Sequence, residues 1–235
     1  MKRDIFVLMD LDDTILDFHK AEAVAIEKTF EQLGAQTTPE LISRYSQINQ
    51  RQWERLELGE IDQHQLLTGR FEILFDEFGM SFDGQQAQDL YEELLSIGHW
   101  FMPGAEDLLE ELYGKDRLFI VSNGTPIVQH GRLKSSGIGR YFEHIFISEE
   151  IGATKPAKEF FHICAAAIPG FSKERAIVVG DSLTSDIRGG LNSGIRTCWY
   201  NPRRLPARED IPADYEIHEL MELPGLLESL FGKNL

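Results

Sequence analysis

In the stretch IFVLMDLDDTILD (residues 5–17), an apolar run, Ile5–Met9, is followed at once by three acids: Asp10, Asp12 and Asp13. On a strand, positions i and i+2 share a face, so the Asp10 and Asp12 side chains converge while Asp13 points elsewhere. With Asp181, from GDSLTSD (180–186), they would make an oxygen-rich pocket whose repulsion raises at least one carboxylate pKa. A hard divalent cation relieves that repulsion. Mg²⁺ accepts a few carboxylates, retains waters and leaves room for a phosphate oxygen. One carboxylate could then attack phosphorus to give an aspartyl-phosphate, while the other moves protons to the leaving oxygen and from water. Ser122, with the backbone N–H groups of Asn123 and Gly124, is suited to holding phosphate oxygens as charge develops. Lys155 adds a fixed positive charge.

These residues must be brought together by the elements before them. Five β-branched or apolar runs read as strands: Ile5–Met9, Leu118–Val121, His144–Ile147, Ala176–Val179 and Ile195–Trp199, with a weaker sixth near Tyr215–Ile217. Segments of helical spacing separate the later ones. TPIVQHGRLKSSG (125–137) ends in a stop glycine, AKEFFHICAAAI (157–168) places Phe160, Phe161, Cys164 and Ile168 on one face, and LPGLLESLF closes the chain. Strands alternating with single helices imply right-handed crossovers, hence an α/β fold with a doubly wound parallel sheet. Sites in such sheets lie beyond the carboxyl ends of the strands, where Asp10, Ser122, Lys155 and Asp181 all fall.

About eighty residues (18–99) interrupt this rhythm between the first and second strands without a convincing strand of their own. HKAEAVAIEKTFEQLG stops at Gly34, and DQHQLLTGRFEILFDEFG carries Leu67, Phe71, Leu74, Phe75 and Phe78 at 3–4 spacing before Gly79. The expectation is an all-helical cap domain over 18–99, inserted into a core formed by 1–17 and 100–235, with Pro103-Gly104 marking re-entry.

Composition narrows the partners. The formal charge of −16 repels nucleic acid and anionic membranes, and would repel a phosphorylated substrate unless a local cation met it. The apolar run after Lys2 and Arg3 is too short for a signal-peptide core, and no later segment approaches a membrane span. Cys164 and Cys198 lack CxxC spacing and read as buried free thiols in a reducing cytoplasm. No histidine pair has ligand spacing for zinc. Nothing in the sequence sets the oligomeric state.

DLDDT, SNG, KP and GDSLTSD, in this order and each after a core strand, resemble the four signature motifs of the haloacid dehalogenase superfamily, and the helical insertion resembles its type 1 cap. The resemblance covers essentially the whole chain. It implies Asp10 as nucleophile and Asp12 as general acid/base. The Asp10 side chain, the Asp12 backbone carbonyl and Asp181 would hold Mg²⁺, Ser122 and Lys155 would bind the phosphoryl group, and Asp186 would orient metal waters or Lys155. QWERLELGEI, LLTGRFEILFDEFG, FISEEIGATKP and TCWYNP are similar to bacterial cytosolic nucleotidases acting on pyrimidine 5′-monophosphates, which makes a nucleotide the implied substrate.

Each motif alone has an ordinary explanation. DxD after an apolar run is often a solvated turn, SNG a tight turn, and GDSLTSD a helix start capped by Ser182 or Thr184. Their joint occurrence at strand ends favours chemistry. A dehalogenase needs neither Asp12 nor Asp181, and a phosphonatase would want a Schiff-base lysine where residues 18–99 offer only Lys20 and Lys28. A phosphosugar phosphatase or mutase, or a non-catalytic binding protein on this scaffold, stays open. In the cap, Trp53, His64 and Arg70 could touch a nucleoside, although structural or solvent-facing roles are the simpler reading.

Overall fold

β1 (Phe6–Met9) is buried at all four positions, as a parallel strand covered on both faces must be. The protein, described by a computed structural model over residues 3–232, continues with α1 (Phe18–Gln32), α2 (Pro39–Glu57), α3 (Gln63–Phe78), α4 (Gly84–Ser96), α5 (Ala105–Leu112) and β2 (Arg117–Ser122). Then come α6 (Pro126–Ser136), β3 (His144–Ile147), α7 (Ser148–Ile151), α8 (Lys158–Ala167) and β4 (Ala176–Gly180). The chain closes with α9 (Arg188–Ser193), β5 (Arg196–Tyr200), β6 (Tyr215–Ile217) and α10 (Leu223–Phe231). Lys2 lies outside the described residues.

Among the described residues, six strands form one parallel sheet in the order β3-β2-β1-β4-β5-β6. This is the doubly wound α/β architecture that the strand–helix alternation predicts. The chain winds outward from β1 through β2 to β3, then returns to β4 on the other side. The carboxyl ends of β1 and β4 are therefore the topological switch point, where open sheets of this kind bind ligands. On one face, Phe6, Leu8, Phe119, Val121, Phe146 and Val178 pack with Phe160, Phe161 and Cys164 of α8. The run 106–111 turns its acids to solvent while Leu108, Leu109 and Leu112 of α5 are fully buried.

Packing divides the chain into two units. The α/β unit takes in the described residues through Asp17, Phe101–Pro126, and those from Ser136 on; the helical unit comprises Phe18–Trp100 and Ile127–Ser135. The sequence reading assigned all of 100–235 to the core, and the middle of α6 corrects it. Val128 joins the apolar cluster of the helical unit, and Arg132 Nε donates to Gly98 O at 2.9 Å. A short helix of mixed polarity carries no mark of which core it will join.

Within the helical unit, Ile26 and Phe30 of α1, Tyr45 of α2, Phe71, Leu74 and Phe75 of α3 and Tyr91 of α4 build one core. Each fully buried aromatic or leucine there is worth about 1.5–3 kcal/mol. In the first turns of α3, Leu66 is fully buried and Leu67 only partly so, a shift of one position along the helix. Asp62 opens α3 with a reciprocal capping box to Gln65, and Gly79 ends it in the left-handed conformation at φ 64°. Among the described residues no helix is long and apolar enough to cross a membrane.

Candidate active site

Asp10 extends the β1 ladder by one bond, its N–H donating to Val179 O at 2.9 Å, and its side chain is 9% exposed. Facing it is Lys155, carried by the loop after β3 and α7. The ammonium donates to Asp10 Oδ1 at 2.7 Å, Asp186 Oδ1 at 2.6 Å and Val121 O at 2.8 Å. An ammonium has three N–H donors, and all three are engaged here. Lys155 is thus the local cation that the chain's negative field requires, with its charge directed at the acids themselves.

Asp186 is placed by two features that patterning alone did not assign to it. Residues Leu183–Ile187 form a π-helical turn, in which the N–H groups of both Asp186 and Ile187 donate to Ser182 O; such turns are rare and recur at functional sites. The turn folds the Asp186 carboxylate back over Gly180. A Cβ on Gly180 would stand 2.2 Å from Asp186 Oδ2, so only glycine fits at the end of β4. Ser182 caps the turn, its Oγ accepting from Ser185 N and its own N–H donating to Asp186 Oδ2 at 3.2 Å. Asp181 is fixed through its backbone: Trp199 Nε1 donates to Asp181 O at 2.8 Å.

The carboxylates that meet are those of Asp10, Asp181 and Asp186, each offering an oxygen within 4.8 Å of the others. β1 ends at Met9, so Asp12 and Asp13 lie beyond the strand, where the backbone of Asp12 bridges to Leu16 and Asp13 turns to φ 55°. Asp12 does not stand apart from the site: its charge helps to raise Asp10. Nor does Asp13 stand apart from the site, because its charge helps to raise Asp181.

One ammonium faces three carboxylates, and the imbalance shows in their protonation. Burial pushes Asp10 up to about 8, against the pull of Lys155 and helped by Asp186 and Asp12. Asp181, though partly exposed, is raised well above the usual carboxylate range, first by desolvation and then by Asp10, Asp186 and Asp13. Burial works against the charge on Lys155, but Asp10 and Asp186 outweigh it and hold the ammonium charged. Three clustered hard oxygen donors with uncompensated charge fit a divalent cation such as Mg²⁺. Asp10 and Asp181, with Asp186 behind them, are the side chains able to hold it.

Ser122 is 1% exposed at the end of β2, and its Oγ accepts the Gly124 N–H at 3.1 Å. The Asn123 side chain pairs with the backbone of Lys155. In the helical unit, His64 is exposed and Trp53 partly so. Arg70 is 3% exposed and donates to Asn49 Oδ1 and Gln88 Oε1, both at 2.7 Å, with its guanidinium 4.8 Å from the Tyr91 ring centroid. Those contacts give Arg70 a structural role.

A profile of the haloacid dehalogenase-like hydrolases matches residues 7–200. The chain belongs to that family. This haloacid dehalogenase-like hydrolase is 40% identical to the HAD-hydrolase YfnB of Bacillus subtilis over 227 residues, 97% of each chain. It is 38% identical to the pyrimidine 5′-nucleotidase PynA of Streptococcus pneumoniae, covering 95% of this chain and 94% of that one. Identity to the pyrimidine 5′-nucleotidase YjjG of Escherichia coli is 30%, over 97% and 99%. The crystal structure of YfnB, bound to magnesium and described as revealing interdomain movement, matches with a TM-score of 0.91 over 96% of this hydrolase and 99% of that chain.

Proposed function

We propose that this hydrolase is a Mg²⁺-dependent phosphatase of small phosphomonoesters whose substrates are nucleoside 5′-monophosphates, pyrimidine nucleotides foremost. The reading is carried by the likeness to PynA and YjjG, which extends through the helical unit as well as the α/β unit.

Asp10 attacks phosphorus, and the new P–O bond forms as the bond to the leaving oxygen breaks. Asp12 gives that oxygen its proton, then takes one from the water that hydrolyses the aspartyl-phosphate and restores Asp10. Ser122 and the N–H groups of Asn123 and Gly124 receive the phosphoryl oxygens. Lys155 steers Asp10 and reaches a phosphoryl oxygen by exchanging one of its three present bonds. The Asp12 backbone carbonyl joins Asp10 and Asp181 as metal donors. Bound there, Mg²⁺ neutralises part of the acidic charge and polarises the phosphoryl group. Two buried free thiols, Cys164 and Cys198, suit a reducing cytoplasm.

The test is phosphate release from a panel of pyrimidine and purine 5′-monophosphates and sugar phosphates, with Mg²⁺ present. Preference for pyrimidine nucleotides supports the proposal. Faster release from sugar phosphates moves the substrate class, interconversion of sugar-phosphate isomers without release points to a mutase, and no turnover of any member points to a binding protein.

A further inference from the structure

Asn123 directly follows the phosphate-binding Ser122, and its obvious uses are a turn or a substrate contact. Its side chain is bonded within the protein instead. Asn123 Oδ1 accepts the Lys155 N–H at 2.9 Å, and Asn123 Nδ2 donates to Lys155 O at 2.9 Å. This reciprocal pair joins a side-chain amide to a backbone unit 32 residues away. The same Nδ2 lies 3.4 Å from Ser185 Oγ on the π-helical turn. Both donors and the acceptor are thereby engaged inside the protein. From α7, Ser148 Oγ donates to Asn123 O at 3.4 Å. One side chain therefore ties together the loop after β2, the loop bearing Lys155 and the turn bearing Asp186.

We propose that the Asn123 side chain is a positioning residue: it clamps the Lys155 backbone so that the ammonium is held on Asp10 and Asp186. Lysine needs such help, because its charge sits on a flexible four-carbon stem, and a stem is only as well aimed as the backbone that carries it. Asparagine suits the task because one short planar group offers both a donor and an acceptor to a peptide unit. Aspartate has no donor and would set a carboxylate against Lys155 O. Alanine offers nothing.

The kinetic part of this proposal rests on the phosphatase reading, whereas the clamp itself does not, so the test has two arms. In the Mg²⁺-supplemented protein, Asn123→Ala and Asn123→Leu, neither of which offers an acceptor, are compared with wild type for exchange of the Lys155 amide hydrogen. We expect at least a tenfold acceleration. In phosphate release, kcat falls about 10–100-fold while KM changes less than about threefold, the signature of lost positioning. Adding Asn123→Ala to Lys155→Ala then costs less than about twofold further, since the two act through one ammonium. Unchanged amide exchange overturns the clamp. A raised KM at constant kcat makes Asn123 a substrate contact, and multiplicative losses in the double variant separate it from Lys155; either result overturns the positioning role. If wild type hydrolyses nothing, the phosphatase reading fails while amide exchange still decides the clamp. Should Asn123→Ala not fold, Asn123→Leu, close to asparagine in shape and without donor or acceptor, supplies the same readouts.

Discussion

Lys155 Nζ and Asp186 Oδ1 lie 2.6 Å apart, with side chains only 2% and 1% exposed. A buried pair is strongly destabilising to break on one side, because the remaining charge is left without a partner. Asp186 occupies its place only because Gly180 has no side chain. Gly180→Ala would push the carboxylate off Lys155 without touching either charged residue. We expect a loss of about 1–3 kcal/mol in urea unfolding, the usual range for overpacking, together with a fall in turnover larger than the stability loss explains. Wild-type kinetics in Gly180→Ala would show that the contact has no part in the chemistry.

Asp10→Asn should abolish turnover, by roughly a thousandfold or more, because an amide cannot serve as the nucleophile. EDTA should silence the wild type, with recovery on adding Mg²⁺. Substantial phosphate release by the Asn variant in the presence of metal would remove Asp10 from the nucleophile's role.

The metal-free protein should show the acidic cluster in its pH profile. Asp10 has a folded pKa of about 8 against an ordinary value of 3.8, so over that window the native state binds more protons than the unfolded chain. Its stabilising contribution is complete below 3.8 and lost as pH rises through about 8. Melting temperatures without metal should therefore fall relative to Asp10→Asn between about pH 5 and 8, and Mg²⁺ should narrow the gap because cation and protons compete for the same oxygens. A gap independent of both pH and metal would refute the crowded-carboxylate account.

Arg70→Ala in the helical unit leaves Asn49 Oδ1 and Gln88 Oε1 without their donor and opens space beside Tyr91. A loss of about 3 kcal/mol is expected on thermal or urea unfolding. If the loss is below about 0.5 kcal/mol, Arg70 is not the tie that its contacts suggest.

The strand ends were legible because β-branched runs broken by Asp10, Ser122 or Asp181 leave few alternatives for a parallel sheet. Gly34 and Gly79 announced helix ends by the positive φ that they adopt, 77° and 64°. Several features were not legible, each for a local reason. The approach of Asp186 to Asp10 and Asp181 joins a π-helical turn to two strand ends, and alternation along a single strand does not show it. A π-helical turn is shorter than any window in which periodicity can be measured. The Asn123 clamp joins residues 32 apart through a single amide, and no spacing rule encodes it. Gly180 was the available clue: a glycine ending an apolar strand signals close approach by another group, here the side chain of Asp186.

Both cysteines of the chain, Cys164 and Cys198, belong to the α/β unit, fully enclosed and with thiols pushed by burial up to about 12. An alkylating reagent can reach them only when that unit opens, and the helical unit has no thiol to respond. The natural sequence therefore contains a domain-selective unfolding probe: the time course of thiol modification reports opening of the sheet alone, without any engineered label.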